Sequence, residues 1–65
     1  MIELTKLNGS VFYLNPHLIE SMEEKPDLTI SMMSGNTIVC KESFSQVLNK
    51  IISYRQRIGY NSQEV

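Results

Sequence analysis

Cys40 and His17, the only cysteine and the only histidine of this chain, are the one pair that could act as nucleophile and base. A nucleophile needs a base within hydrogen-bond reach. Cys40 falls in a strand-like run and His17 in a turn after Pro16, and nothing in their spacing brings them together. Cys40 reads better as a small buried or edge thiol, and His17 as a solvent-exposed turn residue. The two cannot supply the four ligands of a structural zinc site, and a lone cysteine forms no intrachain disulfide. Glu20, Glu23 and Glu24, with Asp27 just beyond, form an acidic cluster. Paired carboxylates can serve acid–base or metal chemistry. Successive strand residues face opposite ways, however, so Glu23 and Glu24 would point apart. The cluster reads as charge guarding a strand edge, or as an acidic rim that meets a basic partner. Lys50, Arg55 and Arg57, with Tyr54 among them, are the one basic concentration. They could touch RNA or DNA, and they also suit the negative end of a helix dipole. Gly9 and Gly35 are turn glycines, and no phosphate-cradling motif is present. The residues thus supply no catalytic set, no cofactor site and no metal site.

The elements that position these groups are legible from patterning. Ile2 to Leu7 and Ser10 to Leu14 read as strands around Asn8-Gly9, the strongest short hairpin signal. A type I′ turn there sets Leu7 opposite Ser10, Thr5 opposite Phe12 and Leu4 opposite Tyr13. Ile2, Leu4, Val11 and Tyr13 then share one face, and Leu7, Phe12 and Leu14 the other, so both faces of the hairpin are expected to be covered. Asn15-Pro16 ends the second strand. Leu18 to Glu24 is a weaker strand whose apolar positions, Leu18, Ile19 and Met22, do not alternate. Lys25-Pro26-Asp27 suits a turn. Leu28 to Met33 alternates Leu28, Ile30 and Met32 against Thr29 and Ser31. Ser34-Gly35-Asn36 closes a second hairpin, with Thr37 to Lys41 returning. A two-residue loop puts Val39 on the face of Ile30 and Met32, and a slip by one residue puts Ile38 and Cys40 there. Met32 and Met33 are adjacent, so one of them should point outward.

Ser43 with Gln46 fits a capping box. Phe44, Val47, Leu48, Ile51, Ile52, Arg55 and Ile58 follow the spacing of one helix face, and this stripe is expected to land on the sheet. Gly59 is placed for the residue after the helix, and residues 59–65 are expected to fray. Strands followed by a helix argue α+β: a small antiparallel sheet or half-open barrel of two β-hairpins plus a connecting strand, then one C-terminal amphipathic helix. Residues 1–58 form the single domain.

Bulk properties set the function classes. A domain of roughly 60 residues buries only about 60% of its unfolded surface, so stability is marginal. With no disulfide or zinc to staple it, helix quality or self-association is the expected source of extra stability. The formal net charge is −1 and the pI about 5.7, which speaks against the basic stripe of a nucleic-acid binder. The start MIELTKL has no signal-peptide pattern, and no run approaches the ~18 apolar residues of a membrane span. A lone cysteine fits the cytoplasm.

Taken in order, several segments resemble the FlbD family of short flagellar proteins, which includes the swarming motility protein SwrD. They are Leu4 to Gly9, Phe12 to Asn15, Leu18-Ile19-Glu20 and Glu24 to Asp27. Ser34-Gly35-Asn36 with Val39, Lys41-Glu42-Ser43, and a helix ending Ile51 to Arg55 follow. The resemblance covers about residues 2 to 58. Met32-Met33 and Cys40 depart from the strand residues that the pattern leads one to expect. The resemblance implies a cytoplasmic bacterial protein linked to flagellar function, supporting swarming through motor power by way of the stator units, and it supplies no catalytic residue. The expected function is a non-enzymatic accessory protein of motility, acting as a homo-oligomer and binding a flagellar motor or basal-body protein, with no cofactor, no nucleic acid and no membrane insertion. Phe12, Tyr13 and Leu14 are the expected contact surface, with Glu20 and Glu23 on a charged rim. The alternative is a small nucleic-acid-binding regulator of flagellar gene expression.

Overall fold

Both hairpins close on the same three-residue loop, Leu7-Asn8-Gly9 in the first and Met33-Ser34-Gly35 in the second. In a computed structural model, which describes residues 1–58, Lys6 N–H donates to the Ser10 carbonyl at 2.8 Å and Gly9 N–H to the Lys6 carbonyl at 2.9 Å. The second loop repeats the pattern, with Met32 N–H on the Asn36 carbonyl at 2.8 Å and Gly35 N–H on the Met32 carbonyl at 2.9 Å. The last loop residue has positive φ, 94° at Gly9 and 98° at Gly35. A turn followed by a left-handed glycine is the usual three-residue solution. Side chains steady both exits: Ser10 N–H donates to Asn8 Oδ1 at 2.9 Å and Asn36 N–H to Ser34 Oγ at 3.5 Å.

This loop corrects the expected type I′ turn. That turn needs positive φ at Asn8, and no described non-glycine residue has one. The extra loop residue shifts the register by one. Strands β1 (Ile2–Thr5) and β2 (Val11–Leu14) pair Ile2 with Leu14, Glu3 with Tyr13, Leu4 with Phe12 and Thr5 with Val11. Ile2, Leu4 and Leu14 are buried in the core with Phe12 packed against it, while Val11 and Tyr13 lie exposed. The hairpin therefore has one core face rather than two apolar faces needing cover.

Asn15 Oδ1 accepts the His17 N–H at 3.0 Å and opens a short 3-10 turn, Pro16–Leu18. Strand β3 (Ile19–Glu24) pairs with β4 (Leu28–Met32), which pairs with β5 (Thr37–Cys40), all antiparallel. A register shift between Ile19 and Ser21 makes Glu20 an extra residue. Ile19 and Met22 can then both pack on the core, which explains their failure to alternate. The Lys25-Pro26-Asp27 turn forms, with a cis peptide before Pro26. In β4–β5 the three-residue loop selects the slipped register, pairing Ile30 with Ile38 and Leu28 with Cys40. Cys40 is buried there, and Val39 faces outward.

The strands form sheets of two and three strands, not a closed barrel. Among the described residues a single bridge, Lys6 to Cys40, joins them, reinforced by Lys41 N–H on the Thr5 carbonyl at 2.8 Å. Helix α1 (Phe44–Ile58) packs over β1 and β3. Its capping box is realised, with Gln46 N–H on Ser43 Oγ at 3.2 Å and Ser43 N–H on Gln46 Oε1 at 2.8 Å. Two further contacts pin this end. Glu24 Oε2 accepts Phe44 N–H at 3.4 Å, and Glu42 Oε1 accepts Thr5 N–H at 3.0 Å. Gly59 and the expected tail 59–65 lie outside the described residues.

Candidate functional site

Helix α1 carries two apolar stripes, and only one of them meets the core. Val47, Ile51 and Tyr54, spaced i, i+4, i+7, face inward, with Val47 0% exposed and Ile51 and Tyr54 packed against the core. Phe44, Leu48 and Ile52, spaced i, i+4, i+8, remain 40%, 41% and 45% exposed. The expectation that the whole stripe lands on the sheet is thus corrected. An apolar arc this wide cannot be covered by one small sheet, because each side chain has a fixed direction on the helix. Tyr54 belongs to the inner stripe, not to a basic patch, and its ring meets His17 edge-on at 5.6 Å. The outer stripe forms a continuous ridge about two turns long. No carboxylate interrupts the helix, whose charged residues are Lys50, Arg55 and Arg57.

The residues expected to form a contact surface are divided by the fold. Leu14 is buried and takes no part in a surface, because the shifted register turns it inward. Phe12 is half-buried on the same inner face, and Lys6 Nζ lies 5.8 Å from its ring centroid. Tyr13 faces the opposite way, 65% exposed, beside Val11 at 54%. Glu20 and Glu23 are exposed on β3, the edge of the three-stranded sheet. Glu23 pairs with Lys25 at 3.8 Å. Glu24 instead caps the helix.

Cys40 and Glu42 are both held by contacts within the fold. The Cys40 thiol is buried and donates to the Leu28 carbonyl at 3.9 Å. Burial, helped by the charge of Glu42, pushes its pKa up, away from a reactive thiolate. Partial burial opposes ionisation of Glu42, but the hydrogen bonds from Thr5 and the charge of Lys50 outweigh it and hold the carboxyl below its ordinary range. No cluster of three or more metal-ligating side chains occurs among the described residues.

Two concavities flank these surfaces. A polar groove of about 440 Å³ runs between β1–β2 and α1, lined by Glu3, Tyr13, Asn49, Lys50, Ser53 and Arg57 among others. An apolar one of about 520 Å³ lies at the tip of β4–β5, where Leu18 and Met33 are exposed and Met33 N–H donates to the Leu18 carbonyl at 2.8 Å. Of the adjacent methionines, Met32 is buried and Met33 points outward.

Sequence patterning missed the ridge because it treated seven helix positions as one face. The signal was present, since the positions separate into two spacings that diverge along the helix. No described helix is long and apolar enough to cross a membrane. Among protein families, the model for FlbD, described as flagellar and swarming motility proteins, matches residues 1–59. No curated protein and no solved structure matches the chain.

Proposed function

The chain belongs to the FlbD family of flagellar and swarming motility proteins, and from that membership we propose that it is a non-enzymatic accessory of motility that acts by binding another protein. The observation that carries the reading is the uncovered ridge of Phe44, Leu48 and Ile52 on a helix without carboxylates. Aligned i, i+4 apolar groups are what a helix presents to a groove on a partner. Such a ridge favours a partner surface that is apolar at its centre.

In this reading the partner is a flagellar motor or basal-body protein, and the effect is support of motor power through the stator units. The protein works on the cytoplasmic side, where such a partner exposes its soluble surface. A binding role suits the fates of Cys40 and His17, one bonded inside the core and the other edge-on to Tyr54. The nucleic-acid alternative draws less support. Lys50 and Arg57 share their groove with Glu3, and acidic residues outnumber basic ones, seven to six.

Capture experiments from a flagellated bacterium test the reading, with the full chain as bait and Phe44→Ser/Leu48→Ser/Ile52→Ser as control. Recovery of motor or basal-body proteins by the parent chain alone is expected. Equal recovery by both chains would remove the ridge from the account, and recovery of nucleic acid in a salt-dependent manner would favour the regulator.

A further inference from the structure

The two outer strands of the sheets are guarded very differently. On β3, Glu20 forms a bulge and Glu23 and Glu24 add charge, the devices that keep an edge from pairing. On β2 the residues are Val11, Phe12, Tyr13 and Leu14, with no charge, no proline and no bulge.

The hydrogen-bond parity of β2 shows which groups are free. Antiparallel ladders alternate between pairs that exchange backbone bonds and pairs that do not. Lys6 N–H bonds to the Ser10 carbonyl, so Leu4–Phe12 and Ile2–Leu14 are the bonded pairs further along. The N–H and C=O of Val11 and Tyr13 therefore point away from β1. Among the described residues no backbone bond outside the strands uses them, and the sheet ends at β2.

We propose that β2 is a self-association edge, pairing antiparallel with β2 of a second copy of this chain about a two-fold axis through Phe12. Only this centre sets Val11 opposite the second copy's Tyr13 and Tyr13 opposite the second copy's Val11. It uses all the outward groups of both residues, giving four backbone bonds. On the exposed face each row then reads Glu3, Tyr13, the second copy's Val11 and the second copy's Thr5. Aromatic and β-branched residues are good cross-strand partners, and no like charges stand opposite each other.

Charge disfavours the competing edge contact. Two β3 edges would set glutamates against glutamates. The β2 contact is small compared with the ~1,000 Å² of a stable interface, so the dimer is weak, reversible and dependent on concentration.

The test is sedimentation of the full chain over a concentration series, with amide NMR shifts read in parallel. Self-association is expected, with the concentration-dependent shifts centred on Val11 and Tyr13. Val11→Pro removes an outward donor that the monomer does not use; Val11→Lys places charge on the edge. Each should keep the monomer fold by circular dichroism and weaken association by about tenfold or more. The triple serine variant at Phe44, Leu48 and Ile52 should associate like the parent. A parent chain that stays monomeric at about 1 mM, a concentration at which even contacts of a few kcal/mol register, would overturn the proposal. So would a dimer that survives both Val11 substitutions or is dissolved by the ridge variant. If Val11→Pro does not fold, Val11→Lys alone decides.

Discussion

Glu42 Oε1 accepts the backbone N–H of Thr5 at 3.0 Å across a separation of 37 residues. That N–H lies beside the Lys6–Cys40 bridge between the two sheets. Glu42 thereby fastens the two sheets at the point where the chain leaves β5 for the helix.

Removing the carboxylate leaves the Thr5 N–H without its partner. Glu42→Ala should cost ~1–2 kcal/mol in urea unfolding, and Glu42→Gln less, since an oxygen acceptor remains. The pH dependence has a fixed sign. The folded pKa is lowered from 4.5, so Glu42 contributes stability above its unfolded pKa. That contribution is lost as pH falls through the folded value. The stability difference between parent and Glu42→Gln should shrink on acidification below pH ~4.5.

Gly9 and Gly35 hold φ of 94° and 98°, and a Cβ at either would meet nothing within 4 Å. The cost of alanine is therefore conformational, not steric crowding by neighbours. Gly9→Ala and Gly35→Ala should each destabilise by ~1–2 kcal/mol. Asparagine at either position should cost less, because its side chain tolerates the left-handed region. Thermal unfolding of the four variants checks the order.

Cys40 is expected to resist alkylation in the native state and to react on unfolding, because it is buried and its pKa is raised. A raised thiol pKa contributes stability that is full below the unfolded pKa, near 9.0, and lost as pH rises through the folded value. Cys40→Ala should flatten the alkaline limb of the stability profile. Labelling of the parent with iodoacetamide at neutral pH at the unfolded rate would contradict the placement.

The α+β class, both hairpins, the Pro26 turn and the capping box of Ser43 and Gln46 were legible in the sequence, because each rests on chemistry within a few residues. Registers were not. Asn8-Gly9 suits a two-residue turn as well as the tail of a three-residue one, and the choice moves every side chain of β2 to the other face. The same ambiguity left Val39 or Cys40 open on β5, and the loop ending at Gly35 decided it. The bulge at Glu20 hid the periodicity of β3. The helix pattern revealed a helix but not how much of its apolar arc the sheet could cover, which depends on the size of that sheet. Of the expected surface residues, Tyr13, Glu20 and Glu23 are exposed, and Leu14 is core for the same reason of register.

The ridge and the core stripe allow function and stability to be separated on one helix. Val47→Ala should cost ~2 kcal/mol, the value of two fully buried methyl groups with a small cavity. Leu48→Ser, with its site 41% exposed, should change stability by far less. The most direct measurement is therefore swarming by a flagellated bacterium whose own copy is replaced by the Phe44→Ser/Leu48→Ser/Ile52→Ser chain, with protein level and thermal stability confirmed alongside. A folded, normally abundant variant that fails to support swarming is the predicted result. Full swarming with the ridge made polar would contradict the claim that this helix face binds the partner.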